Sequence, residues 1–261
     1  MTREHEIIAY VRDSQSAVAD SDGIGISLPE SQQPNQSPSD REAMSQPPAA
    51  VCFDMDGVLV QSEDHWVRAQ RGEILPTAAP NDDIPLSAIT GRNYREVYPD
   101  LDAEYDLEIS REAFEGLFEK HGERIYGEEA TFLDGAHELL DDLRDAGVAL
   151  ALTTSAPWAW IDVADKRFDL LSKFDVAISA GDIDGPGKPE PDIYERGAAE
   201  LGVAPEDCWA VEDSTAGARA AVAAGMTTIG FRGDGDETDL SMVHEIADDA
   251  ASLRQVLLGG V

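Results

Sequence analysis

The chain has 261 residues, 19 of them basic and 53 acidic, for a formal net charge of −34 at pH 7. Hydrophobic residues make up 42% and charged residues 28%, enough apolar side chain for one large domain, or a domain with a small partner, and too much for a wholly disordered chain. The acidic excess repels phosphate backbones and anionic lipid, which excludes nucleic acid and membrane surfaces as default partners. No apolar run approaches the ~18 residues of a membrane span.

Two cysteines, Cys52 and Cys208, are too few for a disulfide framework. Each lies in an apolar run, VCFDM and CWAVE, and is expected as a small buried residue of a strand. MTREHEIIAYVRDSQS holds no apolar stretch long enough for a secretory signal, so a cytoplasmic location is expected. Only four basic residues are lysines: Lys120, Lys166, Lys173 and Lys188. Acid-rich, lysine-poor surfaces suit concentrated salt, where a Debye length of ~3 Å at ~1 M suppresses self-repulsion. In this respect the composition resembles that of proteins from extreme halophiles.

Residues 1–48 hold five of the 14 prolines, and SLPESQQPNQSPSDREAMSQPP is polar throughout. Such a stretch cannot bury enough apolar surface to offset its ordering entropy, so a disordered extension is expected, with a frayed helix near Glu4–Arg12. Met44, shortly before the first strand, is the expected start of the working part. AAVCF then runs into DMDG, a buried strand leading to a loop. Residues 63–129 read as helical, with breaks expected at Pro76, Pro80, Pro85, Gly91 and Pro99. About 70 residues are too many for a loop, so they are expected to form a separate helical domain beside the first strand's carboxyl end.

From Asp134 the pattern alternates. DGAHELLDDLRDAG is a helix with Ala136, Leu139, Leu140 and Leu143 on one face and Gly147 as its stop. A strand VALALTT, a helix Trp158–Arg167, a strand FDVAIS and a helix PDIYERGAAELG follow. CWAVED is a strand, STAGARAAVAAG a helix ending at Gly225, TTIGF a strand and DDAASLRQVLLGG the last helix. This alternation implies an α/β fold with a doubly wound parallel sheet and helices on both faces, built from residues 49–62 and 130–261.

In such a fold the chemistry gathers at the carboxyl ends of the strands. Those ends present Asp54-Met55-Asp56-Gly57, Thr153-Thr154-Ser155 and Glu212-Asp213-Ser214, and Gly187-Lys188-Pro189 comes past the strand FDVAIS. Two carboxylates two residues apart can act as nucleophile and acid–base. A second acidic pair supplies hard oxygen ligands for Mg²⁺. Hydroxyls and backbone N–H groups hold phosphoryl oxygens, and a single Lys offsets their charge.

FDMDGVLVQS, ALTTS, GKPEPDIY and VEDSTAGARAAVAAGM, in this order, resemble the haloacid dehalogenase superfamily, in particular its β-phosphoglucomutase and phosphoglycolate-phosphatase-like branch. The resemblance covers residues 49–258 and implies that residues 63–129 are a cap domain on a Rossmann-like core. It implies Asp54 as the nucleophile that forms an aspartyl-phosphate, and Asp56 as general acid and then base. Thr154, or Thr153 if the register shifts by one, supplies the phosphate-binding hydroxyl, with Ser155 beside it and Lys188 as the amine. Asp54, the main-chain carbonyl of Asp56 and Asp213 bind Mg²⁺, with Glu212 as a ligand or next to one. Relatives that cleave carbon–halogen or phosphonate bonds lack an acid at the place of Asp56, so an Asp there favours transfer of a phosphoryl group from an oxygen leaving group. Gln61 departs from the Asp that many relatives carry.

The expected activity is hydrolysis of a small phosphorylated metabolite, such as a sugar phosphate or phosphoglycolate, by a monomer or weak homodimer. A mutase that returns the phosphoryl group shares every core residue. A phospho-receiver module also uses Asp, Thr and Lys, but in a different order, since Lys188 here precedes the second acidic pair. In the cap, Arg92 and Arg95 are placed to reach a substrate's charged group or to pair with local acids. Trp66, Trp158 and Trp160 are expected to pack in the core, and His65 to be a satisfied surface residue.

Overall fold

The structure is a computed structural model that describes residues 47–89, 94–233 and 238–259. The expectations for residues 1–46, including the frayed helix and Met44, lie outside the described residues, as do those for Gly91 and Arg92.

The strands are β1 (Ala50–Phe53), β2 (Val60–Gln61), β3 (Thr131–Phe132), β4 (Ala149–Thr154), β5 (Val176–Ser179), β6 (Cys208–Glu212), β7 (Thr227–Phe231) and β8 (Glu245–Ala247). Six of them form one sheet in the order β5-β4-β1-β6-β7-β8, and every neighbouring pair is parallel. The chain leaves β1 for β4 and β5 on one side and returns to β6 on the other, so the winding reverses at β1. Such a reversal opens a crevice at the strands' carboxyl ends.

The apolar run AVCF makes the central strand because both of its faces are covered. Val51 and Phe53 point into one core cluster with Leu139, Leu140, Leu143, Leu253 and Leu257. Ala50 and Cys52 point into the other, with Ile193, Tyr194, Ala198, Ala220 and Ala221. The small residues on this second face let a helix come close. At Gly197 an added Cβ would lie 3.0 Å from Thr153 Cγ2 and 3.4 Å from Cys52 Sγ. Both cysteines are buried and unbonded. Burial drives both thiols up, Cys208 to about 11, which makes them inert packing groups as expected.

Helices occupy the stretch between β2 and β3: Glu63–Ala69 running on through a π segment Gln70–Ile74 into Leu75–Ala78, then Tyr94–Tyr105, then Arg111–Arg124 with a second π segment Ile125–Glu129. β2 and β3 pair antiparallel, Val60 with Phe132 and Gln61 with Thr131, so the chain enters and leaves this stretch through one narrow ribbon. Two expected breaks are absent. Pro76 follows a π segment in which Leu75 N–H already bonds the Gln70 carbonyl, five residues back. Pro99 lies inside Tyr94–Tyr105. A proline there leaves the carbonyl four residues back without its donor, and the Arg111 guanidinium donates to that Arg95 carbonyl at 2.7 Å. The sequence patterns also missed β8 and the β2–β3 ribbon, whose strands of three and two residues are too short to show alternation.

Among the described residues no helix is long and apolar enough to cross a membrane. Ion pairs on the surface, such as Lys120–Glu73 and Arg254–Asp142, are exposed. Exposed pairs contribute little each, while the charge of −34 repels itself over the whole surface. The melting temperature should therefore climb steadily from ~0.1 M to above ~1 M KCl, as the Debye length falls from ~10 to ~3 Å. A thermal melt series against an acidic protein of ordinary habitat checks this, and a flat or falling curve would remove the salt-adapted reading.

Candidate active site

β1 delivers Asp54 to the crevice. Its N–H donates to the Val211 carbonyl at 3.0 Å, extending the ladder by one residue and bringing Asp54 beside Glu212. Lys188 bridges the two. Its Nζ lies 2.7 Å from Asp54 Oδ1 and 2.5 Å from Glu212 Oε1, and donates to the Thr153 carbonyl at 3.0 Å. The ammonium also sits 5.1 Å from the centroid of the Tyr194 ring. Burial works to lower the Lys188 pKa, but the Asp54 and Glu212 charges outweigh it and the net shift is upward. Lys188 is a fixed cation.

Glu212 is fully buried. Its Oε1 also accepts from Tyr194 Oη at 2.5 Å, and its Oε2 accepts from the Ser214 N–H at 3.3 Å and Oγ at 3.0 Å. Gly217 makes room for this carboxylate, because a Cβ there would overlap it. Gly217→Ala should therefore displace a buried charge from four donors and destabilise the fold by roughly 3 kcal/mol. A urea melt measures this, and an unchanged midpoint would contradict the placement of Glu212.

Asp54, Glu212 and Asp213 each offer a carboxylate oxygen within 4.8 Å of one another. Gly57, at φ +73°, admits the third of these, since a Cβ there would fall on the Asp213 carboxylate. Burial, then the Glu212 and Asp54 charges, hold Asp213 well above the usual carboxylate range. Asp54 is pushed up to about 7 by burial, then by Glu212 and Asp56, against the pull of Lys188. Three clustered carboxylates thus face a single ammonium, and the charge deficit together with the all-oxygen donor set fits a hard divalent cation.

Asp56 is built differently. Ser62 Oγ and Tyr126 Oη both donate to its Oδ1, at 2.5 and 2.7 Å. Burial raises its pKa, while the hydrogen bonds from Ser62 and Tyr126 pull the other way. At the end of β4, Thr153 Oγ1 donates to the Phe53 carbonyl at 3.3 Å and Thr154 Oγ1 accepts from the Ala156 N–H at 3.1 Å. Both threonines are fully buried. The residue of this strand end that lines the crevice is Ser155, with Ala156 and Pro157.

Above these groups lies a cavity of about 230 Å³. Its upper wall is aromatic. Trp66 packs 4.8 Å from Trp160 and 5.8 Å from Phe118, and Tyr94 stacks between Phe118 at 5.0 Å and Trp160 at 5.3 Å, measured between centroids. Gly122 admits Trp160, because a Cβ there would overlap the indole. Trp66, for which core packing is weighed against a place in a substrate wall, and Trp160, expected to pack, both pack with the core and also line the cavity. Trp158 points elsewhere, its Nε1 on the Asp182 carboxylate at 2.9 and 3.0 Å. Arg95 lies over the Tyr94 ring at 4.9 Å and pairs with Glu119 at 3.0 Å, the local pairing among the two roles weighed for it. His65 pairs with Glu129 at 3.4 Å. Sequence reasoning missed Tyr126 altogether; an isolated Tyr in IYGEE carries no signal of its own.

Residues 48–225 match the haloacid dehalogenase-like hydrolase family. The phosphorylated carbohydrates phosphatase of Thermotoga maritima is 32% identical over 204 residues, 78% of this chain and 89% of that protein. Hexitol phosphatase B of Escherichia coli strain K12 is 31% identical over 193 residues, 69% of this chain and 82% of that one. The crystal structure of CbbY from Rhodobacter sphaeroides in complex with phosphate has the same fold, with a TM-score of 0.67 at 24% identity over 79% of this chain and 96% of that one.

Proposed function

The chain belongs to the haloacid dehalogenase-like hydrolases and is a phosphatase, and we propose that it hydrolyses a small phosphorylated carbohydrate through an aspartyl-phosphate on Asp54, with Mg²⁺ as cofactor. The observation that carries this reading is the buried Lys188–Asp54 contact of 2.7 Å within a carboxylate cluster on the floor of the cavity. Lys188 holds Oδ1 and leaves Oδ2 to attack phosphorus. Asp54, Asp213 and the main-chain carbonyl of Asp56 would hold Mg²⁺, with Glu212 next to them, its oxygens already serving Lys188, Tyr194 and Ser214. When bound, the ion neutralises carboxylate and phosphoryl charge.

Asp54 displaces the leaving oxygen, and Asp56 gives that oxygen a proton. Asp56 then takes a proton from water as the water attacks phosphorus and frees Asp54. Lys188 and Ser155, which line the cavity, hold the non-bridging oxygens, while Thr154, fully buried with its hydroxyl on the Ala156 N–H, braces the turn beneath them. Residues 63–129 act as a cap that shields these steps from bulk water. The aromatic wall suits the C–H face of a sugar or polyol, as do the names of the two relatives, a phosphorylated carbohydrates phosphatase and a hexitol phosphatase.

The test is phosphate release with Mg²⁺ in high KCl from hexitol phosphates, sugar phosphates, phosphoglycolate and nucleotides. The expected result is the highest kcat/KM on a phosphorylated carbohydrate. Preference for a nucleotide or phosphoglycolate would overturn the substrate class. Conversion to an isomeric phosphate ester without free phosphate would make the chain a mutase.

A further inference from the structure

We propose that Tyr126 is a positioning residue for the acid–base carboxyl of Asp56, with the Trp66 indole setting the direction in which it acts; this rests on the phosphatase reading above. Tyr126 is 1% exposed and lies 70 positions along the chain from Asp56. Its hydroxyl sits 2.7 Å from Asp56 Oδ1 and 3.2 Å from Trp66 Nε1. An indole N–H can only donate. The Tyr126 oxygen therefore accepts from Trp66, and its own hydrogen turns to Asp56. Ser62 Oγ donates to the same Oδ1 at 2.5 Å.

An aspartic acid has two chemically equal oxygens, and this arrangement makes them unequal. Oδ1 accepts two hydrogen bonds and is the oxygen without the proton, so the transferable proton sits on Oδ2. As Asp54 bonds to phosphorus, the phosphorus–oxygen bond to the leaving group breaks and its electron pair stays on the leaving oxygen. The Oδ2 proton moves to that oxygen and Asp56 becomes a carboxylate. At that moment the two bonds to Oδ1 become charge-assisted and strengthen, so they favour the transition state over the ground state. Trp66, Tyr126 and Asp56 all line one cavity.

Tyr126→Phe keeps the ring beside Trp160, now 5.6 Å away between centroids, and removes the hydroxyl alone. The probes are phenyl phosphate and p-nitrophenyl phosphate, which share a ring and differ in how much the leaving oxygen needs a proton. The readout is kcat/KM with Mg²⁺, which covers events only up to the first phosphoryl transfer. Tyr126→Phe should lower it about tenfold on phenyl phosphate, the worth of one hydrogen bond, and about twofold at most on p-nitrophenyl phosphate. Trp66→Phe keeps an aromatic wall, drops the indole N–H, and should give the same selectivity at about threefold; it decides by the same ratio if Tyr126→Phe does not fold.

Equal losses on both esters would mark a structural role and overturn the proposal, as would no loss or a gain on phenyl phosphate. A wild-type chain that hydrolyses neither ester counts against the phosphatase reading itself. A wild-type chain that hydrolyses both, with variants of unchanged ratio, counts against Tyr126 alone.

Discussion

Asp54→Asn is expected to abolish phosphate release. The substitution keeps the size of the side chain and its seat at the end of β1, where the backbone N–H is bonded to Val211. It removes the nucleophilic oxygen and one of the three clustered carboxylates. It also removes the charge that Lys188 faces at 2.7 Å, although Glu212 still pairs with that ammonium. The fold should therefore survive a loss that leaves no measurable turnover. Asp56→Asn should act differently, slowing turnover ~10²–10⁴-fold, the usual worth of an acid–base group, while metal binding persists. Steady-state phosphate release on both variants, with thermal melts alongside, separates the two roles. Undiminished hydrolysis by Asp54→Asn would remove Asp54 as nucleophile.

Mg²⁺ should stabilise the chain strongly at pH 8 and weakly near pH 4. The Asp54 carboxyl is raised from 3.8 to about 7, and Asp213 moves in the same direction. A carboxyl raised in the folded state binds its proton more tightly there than in the unfolded chain. Its contribution to stability is thus fully present below 3.8 and is lost as the pH climbs through about 7. Without a divalent cation the chain should weaken across that window. The cation binds only the deprotonated ligands, so it restores stability at the top of the window and adds little at the bottom. At a concentration ~100 times its dissociation constant the gain is about 2.7 kcal/mol. Melting temperatures with and without Mg²⁺ at several pH values measure it, and a shift of the same size at both ends would contradict the cluster as the metal site.

The floor of the site was legible because its residues are local. DMDG follows an apolar run and ED closes CWAV, each at a strand end, while GKP, with one of the four lysines, lies in the loop after β5; a doubly wound sheet brings these carboxyl-end segments together. The ceiling was not legible. Its wall is assembled from positions 66, 94, 118, 126 and 160, and a Trp or Tyr that lines a cavity has the same local pattern as one that fills a core. The Tyr126–Asp56 bond joins residues 70 apart, which no periodicity records. Pro99 illustrates the same limit: local grounds predict a helix break there, but the helix runs through it, and the distant Arg111 side chain donates to the carbonyl that the proline orphans.

Beryllium fluoride mimics a phosphoryl group on an aspartate, and fluorine NMR of the protein with beryllium fluoride and Mg²⁺ tests the central role of Asp54 most directly. Wild type should give resolved bound fluorine resonances that vanish when EDTA removes the metal and are absent from the Asp54→Asn chain. Bound resonances of equal size in Asp54→Asn, or none in wild type, would contradict the account.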